Sequence, residues 1–302
     1  MNKSVLIIDD EQPLVNSLFK ALKEKMPDVE FFPASTEKEI ISVIENKFYS
    51  LAIVDLRMDM YSFDGVALIK KIIEVNPYAK IIVISAFTQE YIEKLNPFMQ
   101  KGKIFNVIKK EEFETWIPKI MNTIQEYYES IDDDDSLIQT ALLQFYAEMK
   151  NEPDTYKKGE KFENIVSLIF YHIGYQDIKR RIIDRSKNEV DLIVRNEIDD
   201  IFLNKLGDYF LIECKNKPEE KVGKNDFILF LSKLDNTNGM ARYGFLFTSG
   251  YIAQTTFTEA VRTSKSGKKV VLFSNTEIER LIKTQNIRKE FKNIIDEQVK
   301  DN

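Results

Sequence analysis

Two sets of carboxylates in this chain have the type and position expected of divalent-metal sites. In the first set, Asp9 and Asp10 follow an apolar run at Val5–Ile8, and Asp55 follows another at Leu51–Val54. A small site built from hard oxygen ligands suits Mg²⁺. A cation held there can neutralise charge on a phosphoryl group that is passing to a carboxylate.

Two further side chains lie where they could assist that chemistry. Ser85 ends the fourth apolar run and offers a hydroxyl, and Lys110 follows a fifth run at Ile104–Ile108 and offers a cation. A lysine ammonium can bind a phosphate oxygen. Lys109 is adjacent, and we prefer Lys110 because it lies two residues past the end of its run.

The second set lies in the C-terminal half of the chain. Asp191 stands near the start of the apolar run Val190–Val194, and the segment Tyr209–Lys215 carries Glu213 and Lys215. Residues two apart in a strand share a face, so Glu213 and Lys215 point the same way. If the two strands pair, Asp191 comes near Glu213, and the two carboxylates can hold Mg²⁺ while Lys215 orients an attacking water or stabilises developing negative charge. This chemistry suits phosphodiester hydrolysis.

The N-terminal residues are positioned by a regular alternation of elements. Across residues 4–128, five short apolar runs bounded by acidic, Pro, Asn or Gly residues alternate with five amphipathic stretches. This alternation predicts an α/β fold with a doubly wound, five-stranded parallel sheet. Functional residues of such sheets collect at the carboxyl ends of the strands, where the first carboxylate set, Ser85 and Lys110 all fall. The amphipathic stretches lie near 12–26, 36–47, 63–76, 88–99 and 111–128.

Four consecutive acidic residues, Asp132–Asp135, mark a change of pattern. Like charges in a row repel and form helix poorly, so the run predicts a linker or a helix start. An amphipathic helix follows, which would either pair with its equivalent in a homodimer or pack on one of the domains. Helices and strands then mix without a simple alternation. We therefore expect a domain at 1–128, an acidic linker and helix at 129–154, and a mixed α/β domain at 155–302.

The charge is distributed unevenly along the chain. The whole chain has 43 Lys and Arg residues against 49 Asp and Glu residues, a net charge of −6. Residues 1–150 carry 17 against 25, a net of −8, and residues 151–302 carry 26 against 24, a net of +2. A net of +2 gives little non-specific attraction to nucleic acid, so binding would need a local patch, a metal or a partner.

Several classes of protein are excluded or disfavoured. A single cysteine, Cys214, excludes an internal disulfide and a multi-cysteine zinc site, and a reducing cytoplasm is its natural compartment. A single histidine, His172, argues against a zinc site built on several histidines. The apolar runs have strand length and fall far short of a membrane span. We therefore expect a cytoplasmic protein with no membrane partner.

Residues 1–128 resemble a response-regulator receiver domain. The resemblance is carried by Asp9-Asp10 after Val-Leu-Ile-Ile, Asp55 in Leu-Ala-Ile-Val-Asp-Leu-Arg-Met, Ser85 in Ile-Val-Ile-Ser-Ala, and a lysine in Asn-Val-Ile-Lys-Lys. It implies that Asp55 accepts a phosphoryl group from a histidine kinase. Asp9, Asp10 and Asp55 would hold Mg²⁺, Ser85 would be the switch hydroxyl, and Lys110 would contact the phosphate. The alternative is a receiver that keeps the fold without the phosphorylation.

Residues 155–285 resemble the PD-(D/E)xK nuclease superfamily and, within it, the Mrr-like restriction endonucleases. The resemblance is carried by Lys158-Gly-Glu-Lys-Phe-Glu163, by Asp191, by Glu213-Cys-Lys215 and by Gly-Phe-Leu-Phe-Thr-Ser-Gly. It implies that Asp191 and Glu213 bind Mg²⁺, for which Mn²⁺ could substitute, with Lys215 as the catalytic lysine and Glu163 as an accessory carboxylate. A valine stands before Asp191, where the family has proline.

The two resemblances together predict a response regulator whose phosphorylation controls a metal-dependent nuclease, with DNA as the expected substrate. Three alternatives stay open. The C-terminal domain could hold nucleic acid without cutting it, or it could serve protein contacts. Glu213 and Lys215 could also form no more than an ion pair on one face of a strand.

Overall fold

The protein, described from a computed structural model, divides into two compact units, Met1–Leu137 and Ile138–Asn302. Asp132 and Asp133 of the predicted acidic linker lie outside the described residues. The structure describes residues 3–86, 88–131, 134–183, 189–237, 239–263 and 267–300.

The N-terminal unit is built on one parallel sheet. Its strand order is β2-β1-β3-β4-β5, and each neighbouring pair is parallel. The predicted doubly wound α/β fold is therefore confirmed. The strands are β1 (Ser4–Ile8), β2 (Glu30–Ala34), β3 (Leu51–Asp55), β4 (Lys80–Ser85) and β5 (Ile104–Lys109). The helices are α1 (Gln12–Lys25), α2 (Glu37–Asn46), α3 (Gly65–Val75), α4 (Thr88–Gln100) and α5 (Phe113–Glu129).

Apolar side chains cover both faces of this sheet, which explains its uninterrupted apolar strands. One cluster includes Leu6 and Val54, and the other includes Val5 and Ile53, because alternate residues of a strand face opposite sides. Side-chain caps mark the starts of α2 and α3. Helix α2 begins at a capping box in which Thr36 accepts from the backbone N–H of Glu39.

The C-terminal unit is built on a mixed sheet of order β12-β10-β8-β7-β6. The pairs β6·β7 and β7·β8 are antiparallel, whereas β8·β10 and β10·β12 are parallel. Its strands are β6 (Ile178–Ile183), β7 (Glu189–Arg195), β8 (Tyr209–Lys215), β10 (Ala241–Thr248) and β12 (Lys269–Phe273). A separate small sheet pairs β9 (Lys221–Val222) with β11 (Tyr251–Ile252). This mixed architecture confirms the predicted fold class.

Helices cover this second sheet. One face carries a cluster of aromatic rings in which Phe170 packs edge-on against Phe245, Phe247 and Phe291, with centroids 5.6, 5.9 and 5.7 Å away. The other face packs an apolar cluster that includes Leu211, Phe227 and Phe230. The helices are α6 (Asp134–Lys150), α7 (Thr155–Ile173), α8 (Lys224–Asp235), α9 (Gln254–Thr263), α10 (Asn275–Lys283) and α11 (Ile287–Lys300), with a short 3₁₀ helix at Leu203–Leu206.

Helix α6 makes its contacts with the C-terminal unit. The Gln139 amide donates to the Thr284 carbonyl over 2.7 Å, and Lys150 Nζ lies 2.7 Å from a Glu279 carboxylate oxygen. The sequence left its position open, and these contacts place it against its own chain. In the described part of the chain, no helix combines the length and the apolar character that a membrane crossing requires.

Candidate functional sites

The carboxyl ends of β1 and β3 bring the first carboxylate set together. Asp9 and Asp55 are 2% and 5% exposed, and Asp10 is half-buried. Among the described residues, this is the set of three carboxylates in which one oxygen of each lies within 4.8 Å of one oxygen of the other two. Three oxygen donors at this spacing fit a hard divalent cation such as Mg²⁺. The fit follows from the type and spacing of these three side chains.

Backbone donors hold each of these carboxylates in place. Asp9 accepts from the N–H of Glu11 over 3.0 Å, and Asp55 accepts from the N–H of Arg57 over 3.4 Å. Asp10 accepts from the N–H of Met60 over 3.0 Å, which fastens the loop after β3 to the pocket. The carboxylates are thus oriented before any ligand arrives.

The structure shows which of the two neighbouring lysines enters the pocket. Lys110 Nζ lies 2.7 Å from an Asp9 oxygen and also bonds to Asp55. Lys109, the last residue of β5, is exposed. Ser85 ends β4 as a buried residue, and its carbonyl accepts from the backbone N–H of Lys110 over 3.0 Å. Ser85 and Lys110 therefore lie at the sheet edge that carries the carboxylates.

The electrostatics of this pocket follow from burial and close opposite charge. Burial raises the pKa of Asp55 to about 6, although Lys110 opposes the shift. Burial by itself lowers the pKa of Lys110, but Asp55 and Asp9 outweigh it and raise that pKa above its ordinary value. Lys110 therefore stays charged, and it compensates two carboxylates that are largely removed from water.

The second carboxylate set lies where β7 and β8 end their pairing. The antiparallel ladder runs from Arg195 and Tyr209 to Leu192 and Ile212, and Asp191 and Glu213 come next on each strand. Asp191 accepts from the backbone N–H of Cys214 over 2.6 Å. Burial, followed by the charge of Glu213, raises the pKa of Asp191 to about 7. The structure thus brings these two carboxylates together.

Two lysines bind Glu213, one expected and one not. Lys215 Nζ lies 2.7 Å from Glu213 Oε1, as expected for residues on one face of a strand. Lys233, from helix α8, lies 2.9 Å from Oε1 and 2.7 Å from Oε2. Sequence reasoning missed Lys233 because it lies 18 residues beyond Lys215 on an amphipathic helix, with no motif spacing to mark it.

Glu163 reaches the same site from helix α7. Its charge contributes to the raised pKa of Asp191, and burial raises the pKa of Glu163 itself. Arg181 holds it, with Nε 3.0 Å from Glu163 and Nη1 2.9 Å from Glu160. Arg181 has a φ of +50°, an unusual value for a non-glycine residue and one that is over-represented at functional sites.

The donor set of this second site also fits a divalent cation. Asp191 and Glu213 supply hard oxygen ligands. In this structure Lys215 and Lys233 balance the charge of Glu213. Among the described residues, the carboxylates of Asp191, Glu213 and Glu163 do not all approach within 4.8 Å of one another. Two carboxylates, Asp191 and Glu213, could therefore hold a cation here, with Glu163 nearby.

Comparisons with known proteins find one family match in each half of the chain. Residues 5–117 match the response regulator receiver domain family, and residues 157–282 match the restriction endonuclease family. These ranges contain the first and second carboxylate sets, respectively. Both resemblances noted from the sequence are confirmed. No curated protein matches the chain.

Solved structures are similar to part of the chain. A response regulator receiver domain protein from Methanospirillum hungatei is 24% identical over 43% of this chain and all of its own, with a TM-score of 0.35. A receiver domain from Francisella is 22% identical over 42% and 98%, with a TM-score of 0.34. An adenylate cyclase from Rhodopirellula baltica is 18% identical over 43% and 100%, with a TM-score of 0.33. With scores this low, the fold assignment depends on the strand order.

Proposed function

Because the chain joins a response-regulator receiver domain to a domain of the restriction endonuclease family, we propose that it is a response regulator with a nuclease output. In this proposal, phosphorylation of Asp55 controls a metal-dependent hydrolysis of phosphodiester bonds in DNA. The observation that supports it most strongly is the meeting of Asp191, Glu213 and Lys215 at the end of the β7·β8 ladder, inside the matched nuclease range.

In the receiver, Asp55 accepts a phosphoryl group from a histidine kinase. Asp9, Asp10 and Asp55 would hold Mg²⁺, which when bound supplies charge neutralisation for the transferring phosphoryl group. Lys110 already bonds to an Asp55 oxygen, so it can bind the oxygens of the aspartyl phosphate. The Ser85 hydroxyl, at the neighbouring strand end, serves as the switch group.

In the nuclease domain, Asp191 and Glu213 would hold Mg²⁺ or Mn²⁺, which when bound polarises the phosphate and acidifies water. Lys215 stands beside Glu213, where it orients the attacking water and stabilises the charge that develops on the phosphate. Glu163, held by Arg181, acts as the accessory carboxylate. Because the proposed partners are a histidine kinase and DNA, the proposal places the chain in the cytoplasm.

A plasmid-nicking assay tests the enzymatic part of the proposal. We expect the full chain to nick supercoiled DNA in Mg²⁺ or Mn²⁺, and Asp191→Ala and Lys215→Ala to lose that activity. Arg195→Ala is the matched control, because Arg195 pairs with Glu197 at the other end of β7. The control should cut at the wild-type rate.

Other outcomes of this assay would decide for the alternatives. Binding of DNA without cutting, unchanged in Lys215→Ala, would favour a nucleic-acid-binding domain with an inactive nuclease fold. Neither binding nor cutting would favour a domain that serves protein contacts. Cutting that survives in both site variants would show that the assigned residues are wrong.

A further inference from the structure

One buried carboxylate in the nuclease domain binds two ammonium groups. Glu213 is 3% exposed, and each of its oxygens bonds to Lys233 of helix α8, over 2.9 Å and 2.7 Å. Lys215 bonds to Oε1 alone. Lys233 therefore straddles the carboxylate, whereas Lys215 approaches it from one side.

An ammonium that spans both oxygens of a carboxylate occupies the space in which a divalent cation would meet them. The ammonium and a divalent cation at the same carboxylate would also repel each other, and burial strengthens that repulsion. We propose that Lys233 is a further positioning residue of the nuclease site, which competes with the divalent cation for Glu213. This inference rests on the proposed nuclease function, since it concerns the same metal ligands.

The surroundings of Lys233 allow its ammonium to move. The side chain is 21% exposed and borders a cavity of about 290 Å³ that is also lined by Val190, Ile193 and Leu211. Its aliphatic stem can pack along these apolar side chains while the charged end shifts toward solvent. Lys233 can therefore release Glu213 without exposing the stem.

A purely structural ion pair would behave differently. If Lys233 only fastens α8 to β8, a neutral replacement would loosen the site and leave cation affinity unchanged or weaker. If Lys233 competes with the cation, the same replacement removes the competitor and strengthens cation binding. The sign of the change in affinity therefore separates the two roles.

The test measures Mn²⁺ affinity on the full chain by electron paramagnetic resonance, in a background carrying Asp9→Asn, Asp10→Asn and Asp55→Asn to remove the receiver's three metal ligands. We expect Lys233→Met and Lys233→Gln to bind Mn²⁺ about tenfold more tightly, the size of effect expected for one charged hydrogen bond. Lys233→Arg keeps the charge and should bind as the background does. Circular dichroism verifies folding of each variant.

The matched control is Lys217→Met, because Lys217 pairs with Asp226, at the start of the same helix, over 3.3 Å. It should leave Mn²⁺ affinity unchanged. Unchanged or weaker affinity in both neutral Lys233 variants would overturn the competition. If Asp191→Ala does not alter Mn²⁺ binding in the background protein, the proposed nuclease metal site is wrong, and the inference falls with it.

Discussion

Gly65 allows the start of helix α3 to approach the strand that carries the phosphoacceptor. Its N–H donates to the Leu56 carbonyl over 2.9 Å, and a Cβ placed on Gly65 would lie 1.9 Å from the Asp55 carbonyl oxygen. Ordinary contact between these atoms needs more than 3 Å. Because the obstructing atom belongs to the backbone, Gly65→Ala must displace either the helix or the end of β3.

Overpacking of this kind costs about 3 kcal/mol, at the upper end of the usual range. Trp116, the chain's single tryptophan, is buried in the N-terminal unit, so its fluorescence reports unfolding there. With a urea m-value of about 2 kcal/mol/M, the midpoint of that transition should fall by about 1.5 M. We also expect slower uptake of phosphate at Asp55 from acetyl phosphate.

Gly159→Ala is the matched control. Gly159 lies within helix α7, and a Cβ there would meet no atom within 4 Å. Alanine favours helix over glycine by about 1 kcal/mol, so this variant should not destabilise the C-terminal unit, and it should leave the midpoint of the Trp116 transition in the N-terminal unit unchanged. A Gly65→Ala protein with the wild-type midpoint would refute the close approach of α3 to Asp55.

Two further predictions concern cations that hold site carboxylates. Lys110→Met removes the charge between two buried carboxylates, and we expect the N-terminal unit to lose about 2 kcal/mol by urea denaturation, partly restored by Mg²⁺. Lys119→Met, at an exposed pair, is the control; equal midpoints for both variants would contradict the reasoning. Arg181→Ala frees Glu163, and we expect plasmid nicking to fall by up to about a hundredfold, the loss that a misplacement of about 1 Å can cause. Arg181→Lys should recover part of the rate; a wild-type rate in Arg181→Ala would show that Glu163 needs no support.

The sequence was sufficient for much of the architecture because the underlying patterns are strong. Uninterrupted apolar runs predicted buried parallel strands, and the acidic and basic residues after them fell at one sheet edge. The spacing rule also favoured Lys110 over Lys109, and Lys110 is the lysine that contacts Asp9. Helix boundaries differ by one or two residues: the third helix, predicted from residue 63, begins at Gly65 because Asp64 caps it, and the fifth, predicted from residue 111, begins at Phe113.

The remaining features depend on tertiary contacts that no local pattern encodes. Lys233 meets Glu213 because α8 packs against the face of the sheet that carries Leu211 and Glu213. No spacing along the sequence marks that contact. Arg181 adopts a left-handed backbone conformation, which a run of basic residues does not predict. Gly65 has no Cβ and so can lie close to the Asp55 backbone, and this close approach likewise appears only when α3 and β3 are placed together.

The central claim is that phosphorylation of Asp55 controls DNA cleavage at Asp191, Glu213 and Lys215. The most direct measurement is the rate of plasmid nicking by the full chain in Mg²⁺, before and after treatment with acetyl phosphate, for wild type and for Asp55→Asn. We predict that the wild-type rate changes on treatment, that the Asp55→Asn rate does not, and that Asp191→Ala abolishes both. Equal wild-type rates before and after verified phosphorylation would contradict the account.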